Sequence, residues 1–290
     1  GHKLVIENEK LIIEKYWDVS YEIDYDKSPK YFETRLAELL EESVSLHGRS
    51  DVPVASYISG GIDSSLIFRM SQNNQSTSSL GFHGRFMEYP GYDESKFANA
   101  AITNSNEKLH VIDIVAEDFK KYFEDVIYHL DFPVAGPGSF PQYMVSKLAA
   151  EHVKVVMGGQ GGDEIFGGYA RYVIAYLEQS LKAAIDGSYK NGSYVVTIES
   201  IIPNLGLLRE YKPLIKQFWS KGLFEPMDSR YFNLIDRSSD MREEIDWSSL
   251  NIKKVFNDFS LIFNNPSNVS KEAYFDKMTH FDFKCLLPAL

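Results

Sequence analysis

One cysteine, Cys285, occurs in 290 residues, which excludes an intrachain disulfide and a cluster of thiolate metal ligands. The 7 histidines never fall into H-E-x-x-H or H-x-x-x-H spacing, so the common zinc arrangements are missing as well. No apolar run approaches the roughly 20 residues a membrane-spanning helix needs, and no leader-peptide pattern opens the chain. Positive charge is in short supply. Lys and Arg number 30 against 41 Asp and Glu, a formal net charge of −11, which argues against a general nucleic-acid binder. No internal repeat or low-complexity segment is present. These absences lead us to expect a cytoplasmic protein in a reducing compartment, with no membrane and no nucleic acid among its partners. At 44% hydrophobic and 24% charged residues, the composition is ordinary for a globular chain able to bury a sizeable core.

The most informative stretch is Ser59-Gly60-Gly61-Ile62-Asp63-Ser64-Ser65. It follows an apolar run, 52–58, that reads as a buried strand, and precedes 66–70, which reads as the start of a helix. A strand-to-helix turn of this kind aims backbone N–H groups and the positive end of a helix dipole at one point, a ready anion site. Glycine lets a ligand approach the backbone, and the three serines add hydroxyl donors. Asp63 would repel a bare phosphate and makes sense as a ligand for Mg2+ held against it. No lysine follows Gly61, so this is not a Walker A loop, nor is it G-x-G-x-x-G. The rival reading is an ordinary glycine turn with a serine helix cap.

Along the chain, Lys3–Ile6 and Leu11–Ile13 flank a turn and predict a hairpin. Helical spacing covers 29–46. Strand 52–58 then leads to helix 64–72, strand 77–82 to helix 92–104, and strand 109–115 to helix 117–130. A Pro/Gly-rich loop, 132–138, leads to helix 139–152, and strand 153–157 runs into a second glycine loop. Alternation of this kind implies an α/β fold with a doubly wound, mainly parallel sheet flanked by helices, and ligands at the strands' carboxyl ends. From about 170 onward the pattern is helical and rich in aromatics. The expected organisation is a linker hairpin over 1–25, an α/β core over 26–172 and a helical layer over 173–290.

The second loop, Gly158-Gly-Gln-Gly-Gly-Asp-Glu-Ile-Phe-Gly-Gly-Tyr169, has glycine at six of twelve positions, which suggests a ligand packed against main chain. Asp63 and Asp163, from two strand ends, would jointly hold Mg2+ on a triphosphate. The alternative for Asp163-Glu164 is an acidic pair favoured by a helix N-terminus. Tyr169 is read both as a substrate contact and as a packed aromatic.

The first loop resembles the pyrophosphate loop of the N-type ATP pyrophosphatases. The stretch 153–172 resembles the second signature of asparagine synthetases and the related β-lactam synthetases. Asp93-Glu94, Ala98 and His110 resemble that family's D-E…A…H segment, and Leu130-Asp131-Phe132-Pro133 its L-D-E-P loop. The first eighteen residues resemble the end of its glutaminase domain, and 281–288 its D-x-K-x-x-L-P segment. The resemblance implies an adenine nucleotide alpha-hydrolase-like fold and the cofactors ATP and Mg2+. It also implies transfer of glutamine-derived ammonia to an adenylated aspartate side chain. The pyrophosphate would lie on Ser59, Gly60, Gly61, Asp63, Ser64 and Ser65, and the nucleoside beside Tyr57, Leu80 and Gly159. The metal would sit on Asp63 and Asp163. Gln160 stands where many members carry Glu and cannot act as a base, which leaves it a contact. A related acceptor carboxylate and a non-catalytic nucleotide-binding module are the alternatives. A homodimer is compatible with the sequence. The chain starts at Gly1-His2 and stops at Leu290, before the family's downstream catalytic lysine. It is therefore expected to be a piece of a longer protein, missing its glutaminase domain and inactive alone.

Overall fold

The computed structural model describes residues 1–22, 24, 26–72, 79–88, 91–104, 106–131, 138–187, 202–241, 243–271 and 273–289. The chain divides into two compact units, Asp24–Gly162 with Leu287–Leu290, and Gly1–Ile23 with Asp163–Leu286. The division falls after Gly162, and the N-terminal hairpin groups with the helical part of the chain.

The first unit is the α/β one. After α1 (Pro29–His47) come β3 (Val54–Tyr57), α2 (Ile62–Gln72), β4 (Ser79–Arg85), α3 (Ser95–Ala100), β5 (Glu107–Asp113), α4 (Ala116–Leu130), α5 (Ser139–Ala150) and β6 (Val155–Met157). The four strands are parallel and lie in the order β5-β4-β3-β6. The chain therefore builds outward from β3 through β4 and β5, then returns to place β6 on the other side of β3. That reversal is a topological switch point, the place where ligands enter open α/β sheets. Both glycine loops follow the two strands that flank it. Phe82, Ala55, Ala149 and Val153 fill one buried cluster, and Ile58, Phe68, Ala98 and Ala101 another.

The expected elements are all present where the chain is described, with shifted ends. The helix expected over 92–104 spans only Ser95–Ala100. Asp93 Oδ1 takes the Ser95 N–H at 2.9 Å before its start. After its end, Glu107 Oε2 takes the N–H groups of Thr103 and Asn104 at 2.7 and 3.1 Å. The second half of the L-D-E-P-like segment, Phe132-Pro133, lies outside the described residues.

Glu107 also meets the Arg69 guanidinium at 2.6 Å and is itself buried. Burial alone would raise its pKa, but the donors from Thr103, Asn104 and Arg69 outweigh it and hold the carboxyl at about 2, below the ordinary 4.5. A depressed folded value gives stability that is complete above the unfolded pKa and is lost as pH falls toward 2. Glu107→Gln should therefore cost on the order of 3 kcal/mol at pH 7. The gap between variant and wild type should close between about pH 4.5 and 2. Urea unfolding across that range checks it, and a gap independent of pH would contradict it.

The second unit opens with β1 (His2–Glu7) and β2 (Lys10–Lys15), an antiparallel hairpin whose turn residues Asn8 and Glu9 have φ of 51° and 63°. Two such residues make the tight turn whose twist matches the flanking strands. Among the described residues the regular elements that follow are helices: α6 (Gly162–Phe166), which begins at the last residue of the first unit, α7 (Ala170–Asp186), α8 (Lys212–Trp219), α9 (Met227–Ile235), α10 (Ile252–Phe263) and α11 (Tyr274–Cys285). Tyr172, Ile174, Tyr231, Phe259, Phe263 and Met278 make its core. The chain after the hairpin is held to this unit by Asn268, which donates to Val19 O at 2.6 Å, and by the Lys284–Asp18 pair at 2.5 Å. Among the described residues no helix is long and apolar enough to cross a membrane.

Candidate active site

In the first glycine loop the serines shape the turn. Ser59 Oγ accepts the Gly61 N–H at 3.1 Å, and Ser64 Oγ accepts the Ser59 N–H at 3.1 Å. The two hydroxyls meet at 2.9 Å, and Ser64 Oγ also donates to Gly61 O at 3.2 Å. The Ser65 N–H reaches Gly61 O at 3.2 Å, so α2 begins at Ile62, two residues before the expected start. The first N–H groups of a helix have no intrahelical acceptor, and here they belong to Ile62, Asp63 and Ser64. Gly60 has φ +101°, and a Cβ there would lie 2.9 Å from Glu94 Cβ and from Glu94 O. The acidic segment at 93–94 is thus packed on the loop.

The second loop packs on the same turn. A Cβ at Gly159 would sit 2.6 Å from the Ser64 nitrogen and 2.8 Å from the Asp63 carbonyl carbon. A Cβ at Gly162 would sit 2.6 Å from Asp63 Oδ2. The glycines of one loop are therefore the contact surface for the other. The two contacts differ in kind. Main chain cannot yield, so Gly159→Ala should destabilise the protein by about 1–3 kcal/mol. The Asp63 carboxylate can swing away, so Gly162→Ala should leave stability within about 0.5 kcal/mol and instead displace that carboxylate. Chemical unfolding of both variants separates the two effects, and equal losses would contradict the assignment.

Gln160 is exposed, and its Oε1 lies 2.0 Å from where a Gly158 Cβ would be, so the carboxamide folds back on its own loop. A cavity of about 250 Å3 opens beside the first loop and is lined by Tyr57, Ile58, Ser59, Phe82, His83 and Gln142 among others. Tyr57 and Ser59 were expected at a ligand site. Leu80 is not on this wall and instead packs in the cluster around Ala55 and Phe82. Ile58, Phe82, His83 and Gln142 were not anticipated. Ile58 lies just past the carboxyl end of β3, where the strand-end rule applied to side chains finds it, whereas Phe82 and His83 lie within β4 and carry no such signal. His110 stacks on Phe82 with ring centroids 5.4 Å apart, and burial and the neighbouring His152 lower its pKa.

Asp163 begins the second stretch of chain in the helical unit. Its carbonyl accepts the N–H groups of Gly167 and Gly168 at 2.9 and 3.0 Å, and a Cβ at Gly168 would lie 1.8 Å from its Oδ1. Glu164, read as half of an acidic helix start, is 1% exposed and accepts the Tyr169 hydroxyl at 2.5 Å. Burial and that carboxylate push the Tyr169 hydroxyl well above the usual phenol range, and the Arg171 guanidinium lies over its ring at 3.8 Å. Arg171, Tyr172 and Tyr231 all donate to Asp282 Oδ2, at 2.6, 2.5 and 2.7 Å. The D-x-K-x-x-L-P-like segment is thereby tied to the residues following the glycine loop, with Lys284 paired to Asp18.

Among the described residues no three His, Cys, Asp or Glu side chains converge as a metal cage. Mg2+ does not require one, since it keeps waters and takes one or two carboxylates together with phosphate oxygens. Asp63, half-buried at the helix start and walled by Gly162, fits that donor set.

A parallel four-stranded sheet flanked by helices, with two glycine loops in contact at its switch point, defines a doubly wound α/β domain. Within that class the chain belongs to the asparagine synthase family, whose sequence model matches residues 35–290. Among curated relatives, a putative glutamine-hydrolysing asparagine synthetase of Methanocaldococcus jannaschii is 32% identical over 181 residues, covering 60% of this chain and 34% of the relative. Asparagine synthetase [glutamine-hydrolyzing] 1 of Bacillus subtilis is 34% identical over 166 residues, covering 53% and 25%. The Penicillium rubens protein named amidase chyE is 30% identical over 187 residues, covering 58% and 28%. The matched stretch thus spans only about a quarter to a third of these relatives.

Proposed function

We propose that this chain carries the ATP-dependent, amide-forming chemistry of an asparagine-synthetase-type protein. The side-chain carboxylate of aspartate attacks the α-phosphorus of ATP, and pyrophosphate leaves with its bonding electrons. Ammonia released from glutamine elsewhere in the protein then attacks the acyl carbon, and AMP departs. The observation that carries the reading is the seating of the Gly158–Gly162 loop on the Asp63–Ser64 turn, at the switch point of the sheet.

In this reading Ser59, Gly60, Gly61, Ser64 and Ser65 receive the pyrophosphate through hydroxyls and helix-start N–H groups. The cavity wall from Tyr57 to His83 receives the nucleoside. Asp63 and Asp163 are the carboxylates assigned to Mg2+, which when bound neutralises the charge leaving with pyrophosphate. Gln160 serves as a neutral contact, since a carboxamide takes no proton. Most of the acceleration comes from orientation and charge compensation at fixed groups.

Aspartate-dependent exchange of labelled pyrophosphate into ATP by the full-length protein tests the reading. The relative named as an amidase is the reason to run other carboxylates beside aspartate. Exchange only with aspartate supports the proposal. Exchange only with another carboxylate would move the acceptor, and no carboxylate-dependent exchange would remove the adenylation step.

A further inference from the structure

We propose that His83 is a positioning residue for the first glycine loop, a role that rests on the nucleotide reading above. It lies on β4 and is 3% exposed. Its Nδ1 is 2.8 Å from Ile58 O, and a carbonyl oxygen only accepts, so Nδ1 carries the hydrogen. Its Nε2 is 3.2 Å from Ser95 Oγ, and in the neutral ring that nitrogen accepts from the serine.

Both partners flank the loop. Ile58 immediately precedes Ser59, and the backbone ladder between β3 and β4 ends there, with the Ile58 N–H on Phe82 O at 2.9 Å. At the next step along the strand, a side chain from β4 satisfies the Ile58 carbonyl. Ser95 follows Glu94, whose Cβ and carbonyl oxygen both fall 2.9 Å from the place a Gly60 Cβ would occupy. One imidazole therefore closes a circuit from the end of β3, through the start of α3, back to Gly60. No rotatable bond separates its two nitrogens, so the link is stiff. The same ring forms part of the cavity wall with Ile58, Ser59 and Glu94. Asparagine can imitate the Nδ1 contact and glutamine the Nε2 contact, but neither imitates both.

The test uses His83→Leu, His83→Asn, His83→Gln and Ser95→Ala in the full-length protein, with hydrogen exchange of amides 59–64, KM values and 15N NMR of the histidines. In the wild type His83 should show the Nδ1–H tautomer. His83→Leu should speed exchange in the loop about tenfold, the scale of one lost buried hydrogen bond, and raise KM for ATP about as much without moving KM for the acceptor. His83→Asn and His83→Gln should each recover part of the loss. Ser95→Ala, at a partly exposed site, should raise loop exchange severalfold without touching the core strands. An Nε2–H tautomer, or loop exchange within twofold of wild type in both His83→Leu and Ser95→Ala, would overturn the proposal. If the wild type uses no ATP, the nucleotide reading fails by itself. Tautomer and loop exchange still decide whether His83 holds the loop.

Discussion

Asparagine in place of Asp63, or of Asp163, lowers turnover of the full-length protein at least ~100-fold, the scale of removing a group that stabilises charge as it develops. The substitution keeps the shape and removes the charge, so the loss reports electrostatics and not packing. Asp63 is the sharper case. It stands at the first turn of α2, where its neighbours Ile62 and Ser64 offer N–H groups to an anion, and Gly162 leaves room beside its carboxylate. If its task were only to favour the helix start, Asn would cost a fraction of a kcal/mol of stability and little turnover. The measurement is steady-state turnover with ATP and Mg2+ varied separately. Near-normal rates in either variant would sink the metal-site assignment. A rate recovered by excess Mg2+ would support it.

The largest effect on stability falls within the helical unit. Arg230 and Glu178 are 0% and 1% exposed and meet through Nε–Oε1 at 2.7 Å and Nη2–Oε2 at 2.6 Å. Arg230 also donates to the carbonyls of Phe218, at 2.9 Å, and Lys221, and its guanidinium lies over the Phe218 ring at 3.8 Å. Glu178 additionally takes the Phe224 N–H at 3.1 Å. Arg230→Met keeps much of the volume but strands a buried carboxylate, so it should cost about 3–5 kcal/mol. Replacing both partners with apolar residues should recover a large part of that loss, because the uncompensated charge is then gone. Urea unfolding of the single and double variants checks it. A double variant no more stable than the single would mean that the pair's other hydrogen bonds, and not the stranded charge, set the cost.

Much of the first unit was legible in the sequence. The strand, glycine pair and helix around 52–72 are written in local signals: an apolar run, residues suited to a turn, and hydroxyls that bond nearby main chain. The hairpin over 2–15 is legible for the same reason. Element ends were not. The helix after Asp93 stops at Ala100, and the chain just past it is held by Glu107, a residue that neither end of that helix reveals. The helical unit was read only as aromatic and helical. The partner of Arg230 lies fifty-two positions upstream, at Glu178, and no periodicity links them. A lone arginine or glutamate in a helical stretch carries no local sign of burial, and here Arg230 and Glu178 are among the most deeply buried polar groups.

Two glycine-rich turns follow two strands and each carries an aspartate, and this much is local, because turn chemistry and strand period act over a few residues. That those turns touch follows from the packing of the whole sheet. Strand order is set by which apolar faces can be covered at once, and the reversal at β3 brings Gly159 and Gly162 against Asp63 and Ser64. The same long-range packing placed His83 between Ile58 and Ser95 and gathered three donors onto Asp282. Each of those bonds joins groups whose separation along the chain says nothing about their separation in space.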